Sequence, residues 1–279
     1  MTAMSNTHIS PTIVHTEDIL SLVEYRVARD RNELEKAFGL VYREYLKRGY
    51  CKENPAKMRL SIYNALPQTT TFVAVSDKTV VATATLVPDS PLGLPMDEIY
   101  HSELEAFRMS NKKLCEISML ASDTDLFRGG VSMMLNAKKL FFVFFLFKII
   151  LDYARDYLKL DYICVTINPK HKLTYDFLLF KDMGTLKSYD SANGAPAIAK
   201  YLDLVSAEEK CKKINEGLYR MFFVKKTAAD KLSGKFVLGP QDLKYFFVEK
   251  SDIFKGLPPA QLEYINNCYP SLDFSQLIT

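Results

Sequence analysis

The chain has 279 residues, 48% hydrophobic and 25% charged, with 36 basic and 33 acidic side chains and a formal net charge of +3. Such values exclude a disordered, collagenous or coiled-coil protein, and the small charge gives no general reason to bind nucleic acid. Five cysteines (Cys51, Cys115, Cys164, Cys211, Cys268) never form a C-x-x-C pair, which excludes a disulfide scaffold and a zinc ribbon and suits a reducing, cytoplasmic compartment.

Residues 1–23 are a polar tail without the apolar stretch of a signal peptide. A strand is predicted from Glu24 to Ala28. Asp30-x-x-Glu33 has the form of a capping box, opening a helix with Leu34, Phe38, Val41 and Tyr45 on one face. The other face and the following turn carry Arg43, Lys47, Arg48, Lys52, Lys57 and Arg59. Two strands, Thr71 to Val75 and Val80 to Val87, flank the short turn Asp77-Lys78 and should form a hairpin. An acidic segment with a short helix near Ser102 to Met109 leads to a strand, Leu114 to Ala121, and then a long helix from Gly130 to Leu158.

Within that helix Leu140 to Phe147 is eight apolar residues, five of them Phe, followed by Lys148. A membrane span needs about 20, so the run reads as a helix buried on most sides. Its phenylalanines read as core, with an acyl-tunnel floor as the rival reading. Next come a strand, Tyr162 to Ile167, a helix from His171 to Met183 stopped by Gly184, and a final strand, Ala197 to Leu204. Beyond it, residues 205–279 hold an amphipathic helix, Ala207 to Phe223, and a short helix through Tyr264, with no obvious strand. The order over residues 24–204, β-α-β-β-β-α-β-α-β, implies an α/β mixed sheet, antiparallel at first and partly parallel after the buried helix, with a helical C-terminal extension.

Four strings carry a resemblance: Val41-Tyr42-Arg43 with Gly49, Glu116-Ile117-Ser118-Met119-Leu120-Ala121, Asn168-Pro169-Lys170-His171 with Tyr175 and Gly184, and Asn193-Gly194-Ala195-Pro196-Ala197. In this order they resemble the V-Y-R…G, E-x-S-R-L-A, N-P-R-H-x-x-x-Y and N-G-A-P-A segments of the FeeM-like N-acyl amino acid synthases. These are GNAT-type acyltransferases related to the acyl-homoserine-lactone synthases. The chain departs from that pattern at Met119, where an Arg is expected. Arg128-Gly129-Gly130 keeps an Arg and two glycines but misses the R/Q-x-x-G-x-G/A spacing by which acetyl-CoA enzymes cradle pyrophosphate on a helix N-terminus. Its plain alternative is a helix-start turn.

The resemblance implies transfer of a long-chain acyl group from acyl carrier protein to a primary amine, an amino acid, with acyl-phosphopantetheine as donor and no metal or redox cofactor. The four histidines leave little material for a metal site in any case. Glu116, a carboxylate in an apolar strand, is costly to bury unless paired or used. It is the candidate base, with an ion pair to Arg43 as the structural alternative. Tyr175 is the candidate general acid, with a core Tyr as its alternative. Arg43, Ser118, Met119, Leu120, Arg128, Gly129, Gly130, Asn168 and His171 are the candidate substrate- and carrier-binding residues, His171 chiefly as a turn residue. The basic stretches Arg43 to Arg59 and Lys210 to Lys226 suit an acidic carrier protein. Expected partners are that carrier and a small amine, with no nucleic acid and no membrane span; contact with a membrane would come only through a lipid product. Rival readings are an acyl-homoserine-lactone-synthase-like enzyme, a CoA-dependent acetyltransferase and a non-catalytic acyl-binding module.

Overall fold

The computed structural model describes residues 23–125 and 132–270, with side chains from 142 onward in the second segment. The strands are β1 (Glu24–Val27), β2 (Thr70–Ser76), β3 (Thr79–Pro88), β4 (Leu114–Ser122), β5 (Tyr162–Ile167), β6 (Lys181–Asp182), β7 (Lys187–Tyr189) and β8 (Ala195–Asp203). They form one sheet in the order β1-β2-β3-β4-β5-β8-β6, with β7 also on β8, and every pairing is antiparallel except β4 with β5. The expected order is present. The structure adds β6 and β7 and extends the short helix expected before β4 to α2 (Asp97–Met109).

Helix α1 (Arg31–Lys47) starts where Asp30 accepts the Glu33 N–H at 2.8 Å. Only this half of the capping box forms. The Glu33 carboxylate instead accepts the Arg29 N–H and binds Arg26 bidentately at 2.6 and 2.7 Å, because an arginine fork outcompetes a lone amide for a carboxylate. In the β2–β3 hairpin Asp77 and Lys78 both have positive φ, 46° and 61°, as a two-residue turn matching the strands' twist requires.

Helices α1 and α2 pack on one face of the sheet. The long helix α3 (Ser132–Asp152), continued by a π turn from Tyr153 to Tyr157, covers the other. Buried Phe142, Phe144 and Phe147 radiate from α3 into different neighbours, so the helix is apolar nearly all round, and Phe145 is 37% exposed beside Tyr25. Lys148, the charge inside this run, is buried against Asp152, and Asp152 also accepts the Thr227 N–H at 2.8 Å.

Helix α4 is shorter than its sequence suggests. It spans Lys172–Phe177 rather than reaching Met183. The chain reverses at Leu179 (φ 66°), the Phe180 N–H closes on the Tyr175 carbonyl at 2.9 Å, and β6 follows at once. Lys200, fully buried on β8, takes ion pairs from Asp176 on α4 and Asp182 on β6. That shared cation draws the two elements together, and the apolar periodicity through Leu178 and Phe180 does not reveal it. Gly184 is needed for close approach: a Cβ there would lie 2.7 Å from the Tyr100 ring.

The C-terminal residues run α5 (Leu204–Ile214), α6 (Glu216–Tyr219), a π turn through Val224, α7 (Ala229–Leu232), α8 (Pro240–Lys244), a second π turn through Glu249 and α9 (Pro259–Asn267). The single helix expected from Ala207 to Phe223 breaks at Asn215, whose side chain accepts the Leu218 N–H at 3.1 Å and caps a new helix. Leu218, Phe222, Phe223 and Leu232 join the core under α3, whereas Leu243, Phe246, Phe247, Phe254 and Ile265 join the core around α1.

Candidate active site

Strands β4 and β5 pair only from Leu114 to Glu116, and beyond Glu116 they splay apart. At the same point β4 bulges against β3. Thr85 faces Ser118 and Thr83 faces Ala121, so two residues of β4 oppose Ala84, and Met119 takes a positive φ of 53°. A bulge re-aims side chains and leaves backbone groups outside the ladder, and a non-glycine residue at such a φ is uncommon. Here it reverses the alternation. Cys115 and Ile117 point to the α3 side, yet Met119 and Ala121 point to the α1 side.

The splay opens into a cavity of about 580 Å³. Glu116 to Leu120 line it from β4, Thr166 to Asn168 from the end of β5, and Tyr175 from α4. Tyr45 and Tyr50 from the exit of α1, Arg59 to Tyr63, and Tyr189 with residues 191–192 and 195–197 complete it. Ile253 reaches in from the C-terminal segment.

Glu116 is 2% exposed. Its carboxylate accepts the Met96 N–H at 2.7 Å, and no cation pairs with it among the described residues. Burial raises its pKa to about 8, opposed by the Met96 hydrogen bond and reinforced by Asp97. Glu44 is the contrast. Also buried, at 1% exposure, it is desolvated too, but Lys47 at 2.9 Å, Arg48 at 2.8 Å and Thr124 outweigh this and hold it at about 2. One buried carboxylate is a locked structural anion and the other is a group that titrates near neutrality.

Tyr175 is buried, packed edge-on against Phe147 and Phe180 with ring centroids 5.6 and 5.3 Å away. Burial pushes its phenol well above the ordinary value, and burial raises Tyr45 to about 12. Neither hydroxyl has a hydrogen-bond partner among the described residues, and the Thr166 hydroxyl is likewise buried without one. Tyr63 and Tyr189, by contrast, donate to the carbonyls of Leu94 and Pro95 at 3.1 and 2.9 Å.

Of the residues singled out in the sequence, Glu116, Tyr175, Ser118, Met119, Leu120 and Asn168 therefore converge on one cavity. Asn168 also caps the turn before α4, accepting the Lys170 N–H at 3.2 Å. His171 stands exposed in that turn, its N–H donating to the Asn168 carbonyl, and does not line the cavity. Arg43 does not reach Glu116. Its exposed guanidinium lies 3.8 Å from Asp123, because Arg43 falls on the solvent side of α1. Met119 is buried in the core beneath α1. Arg128, Gly129 and Gly130 lie outside the described residues. The sequence reading did not single out Tyr63, Glu98 and Tyr189 and took Arg59 only as part of a basic stretch. Arg59, Tyr63 and Tyr189 come from loops and short elements with no periodicity to mark them, and Glu98 from the first turn of α2.

The profile of the family described as N-acyl amino acid synthase FeeM matches residues 36–203, more than half of the chain. The chain belongs to this family. The solved structure of FeeM, an N-acyl amino acid synthase from uncultured soil microbes, is 32% identical, covers 67% of this chain and 93% of its own, and superposes with a TM-score of 0.57. The fold is shared by two acyl-homoserine-lactone synthases. LasI is 12% identical, covers 74% of this chain and 97% of its own, and has a TM-score of 0.52. The CoA-dependent enzyme MesI is 16% identical, covers 75% and 99%, and has a TM-score of 0.50. No curated protein matches the chain significantly. The chain is thus a GNAT-like acyltransferase of the FeeM family. Among the described residues no helix is long and apolar enough to cross a membrane, and no group of His, Cys, Asp and Glu side chains could hold a metal ion.

Proposed function

We propose that this FeeM-family enzyme transfers a long-chain acyl group from the phosphopantetheine of acyl carrier protein to the amino group of an amino acid. The observation that carries this reading is Glu116: buried, free of ion pairing among the described residues, and set where β4 and β5 part. The acyl thioester lies along the splay. The neutral amine attacks its carbonyl carbon, the C–N bond forms and the C–S bond breaks. Glu116 takes a proton from the nitrogen, directly or through a water, with a pKa suited to a base near neutral pH. Backbone N–H groups around the bulge at Ser118 to Leu120, which have no β5 partner, stabilise the oxyanion. The Tyr175 hydroxyl, kept neutral by burial, donates to the departing sulfur and is reprotonated from water as Glu116 gives up the proton it took, so that overall one proton passes from nitrogen to sulfur.

Two features support the carrier-bound donor. Exposed Lys170 holds its ammonium 5.7 Å from the centre of the ring of Tyr50, a residue of the cavity wall, and exposed Lys52 and Lys57 follow Tyr50 in the chain; such lysines suit an acidic partner. The sequence Arg128-Gly129-Gly130 also lacks the spacing of a pyrophosphate cradle. The test is mass spectrometry of lipids from a bacterial host overproducing the protein. New N-acyl amino acids, absent when Glu116 is replaced by Gln, are expected; a lipid profile identical to that of the empty host contradicts the reading.

A further inference from the structure

Of the charged side chains lining the described cavity, Glu98 is already engaged, accepting the Ser191 N–H at 2.9 Å and the Ser191 hydroxyl. Glu116 is the base proposed above. The remaining one, Arg59, is the cavity's cation. Its position is fixed from the backbone, where its N–H donates to the Phe38 carbonyl at 3.1 Å. Its guanidinium gives one hydrogen bond, from Nη2 to the Ser191 carbonyl at 2.6 Å, and no carboxylate pairs with it among the described residues. A guanidinium carries five N–H donors in a planar fork shaped for a carboxylate. An arginine held in a cavity wall with most of that fork unspent is a binding group awaiting an anion.

Glu116 and Arg59 also act on a common point. The Tyr45 hydroxyl feels both charges, Arg59 favouring its ionised form and Glu116 opposing it. Both groups line the same cavity, so a ligand held there meets a carboxylate and a guanidinium. An α-amino acid, with its amino and carboxylate groups on one carbon, offers the complementary pair. Position 119, where the family resemblance leads one to expect a second cation, holds Met119 packed beneath α1.

Building on the acyl-transfer reading, we infer that Arg59 anchors the carboxylate of the acceptor and so makes the enzyme select α-amino acids over amines that lack a carboxylate. Arg59 is then a specificity-determining residue. Its hydrogen bond to Ser191 holds the fork in the cavity wall, and the rest of the fork takes the substrate.

The test compares amino acids with their decarboxylated counterparts, leucine with isopentylamine and phenylalanine with phenethylamine among a panel of such pairs, in wild type and in Arg59→Met and Arg59→Lys. Both acylation rates and equilibrium binding without donor are measured. For at least one pair, wild type should favour the acid by about 30-fold or more, as expected for a charged, hydrogen-bonded contact in a partly desolvated site. Arg59→Met should bring that ratio close to one, and Arg59→Lys, which keeps charge but loses the fork, should fall between. A wild-type ratio near one for every pair, or a ratio unchanged in Arg59→Met, overturns the inference. The binding measurement separates the two proposals. Preferential, Arg59-dependent binding of an amino acid without any acylation would refute the proposed reaction while upholding the anchor.

Discussion

Two glutamates set the terms of the site. Glu44 and Glu116 are buried to the same degree, yet one is held at about 2 by two cations and a threonine while the other rises to about 8 with a single backbone donor. Replacing Glu116 by Gln preserves an acceptor for the Met96 N–H and removes only the base, so turnover should fall roughly 10²- to 10⁴-fold with the fold intact. The wild-type rate should climb with pH through a limb near 8 that the Gln variant lacks. Stability runs the other way. The raised folded-state pKa means that, between the ordinary carboxylate range and about 8, the native state holds more protons than the unfolded one, so this group's contribution to stability falls as pH rises across that window. Melting temperatures of wild type and Glu116→Gln, followed from pH 5 to 8.5, should therefore diverge in favour of the variant as pH rises; parallel curves would show that Glu116 is not the titrating group. Tyr175→Phe keeps the packing on Phe147 and Phe180 and should cost about 10²-fold in rate with little change in melting. Residues fixed by a strand's alternation were legible in sequence, as Glu116 was. Arg43 is exposed on the polar face of α1, as its spacing implies, so the ion pair with Glu116 offered as an alternative does not form. Arg59 read only as part of a basic stretch, because no local period marks a residue of an irregular segment as lining a cavity.

Among the elements, those with a clean period were readable to within a residue or two: the β2–β3 hairpin, β4, β5, β8 and the long α3. Two of three departures share a cause, namely contacts between residues distant in sequence, and the third is a local cap. The bulge at Met119 is set by its registration against Thr83 and Thr85, the early end of α4 by the shared cation Lys200, and the break after α5 by a capping asparagine within a lysine-rich run. Of the phenylalanine run, Phe142, Phe144 and Phe147 are buried in the core under α3 and none of them lines the large cavity. Phe147→Ala should cost about 3–5 kcal/mol in denaturant unfolding, by lost burial and a cavity, whereas the half-exposed Phe145 should cost clearly less. Equal costs at the two positions would contradict this assignment of faces.

At the scale of the molecule, the C-terminal helices complete the cores on both faces of the sheet and add Ile253 to the cavity wall. A chain cut after Asp203 would bare the apolar surfaces now covered by Phe222, Phe223, Phe246, Phe247 and Phe254. We expect it to aggregate or to lose cooperative unfolding, as checked by solubility and calorimetry; a soluble fragment with a sharp transition would show the sheet to be self-sufficient. The central claim is acyl transfer from a carrier-bound thioester to an amino acid at Glu116. It is tested most directly by incubating the purified protein with long-chain acyl carrier protein, or the matching acyl-CoA, and a mixture of amino acids at low and high salt, and quantifying N-acyl products by mass spectrometry. The expected result is product formed faster from the carrier protein, with that advantage shrinking as salt screens the attraction between basic side chains and the acidic carrier, and product falling at least about 10²-fold in Glu116→Gln. Undiminished product from the Gln variant, or equal use of acyl-CoA at every salt concentration, would contradict it.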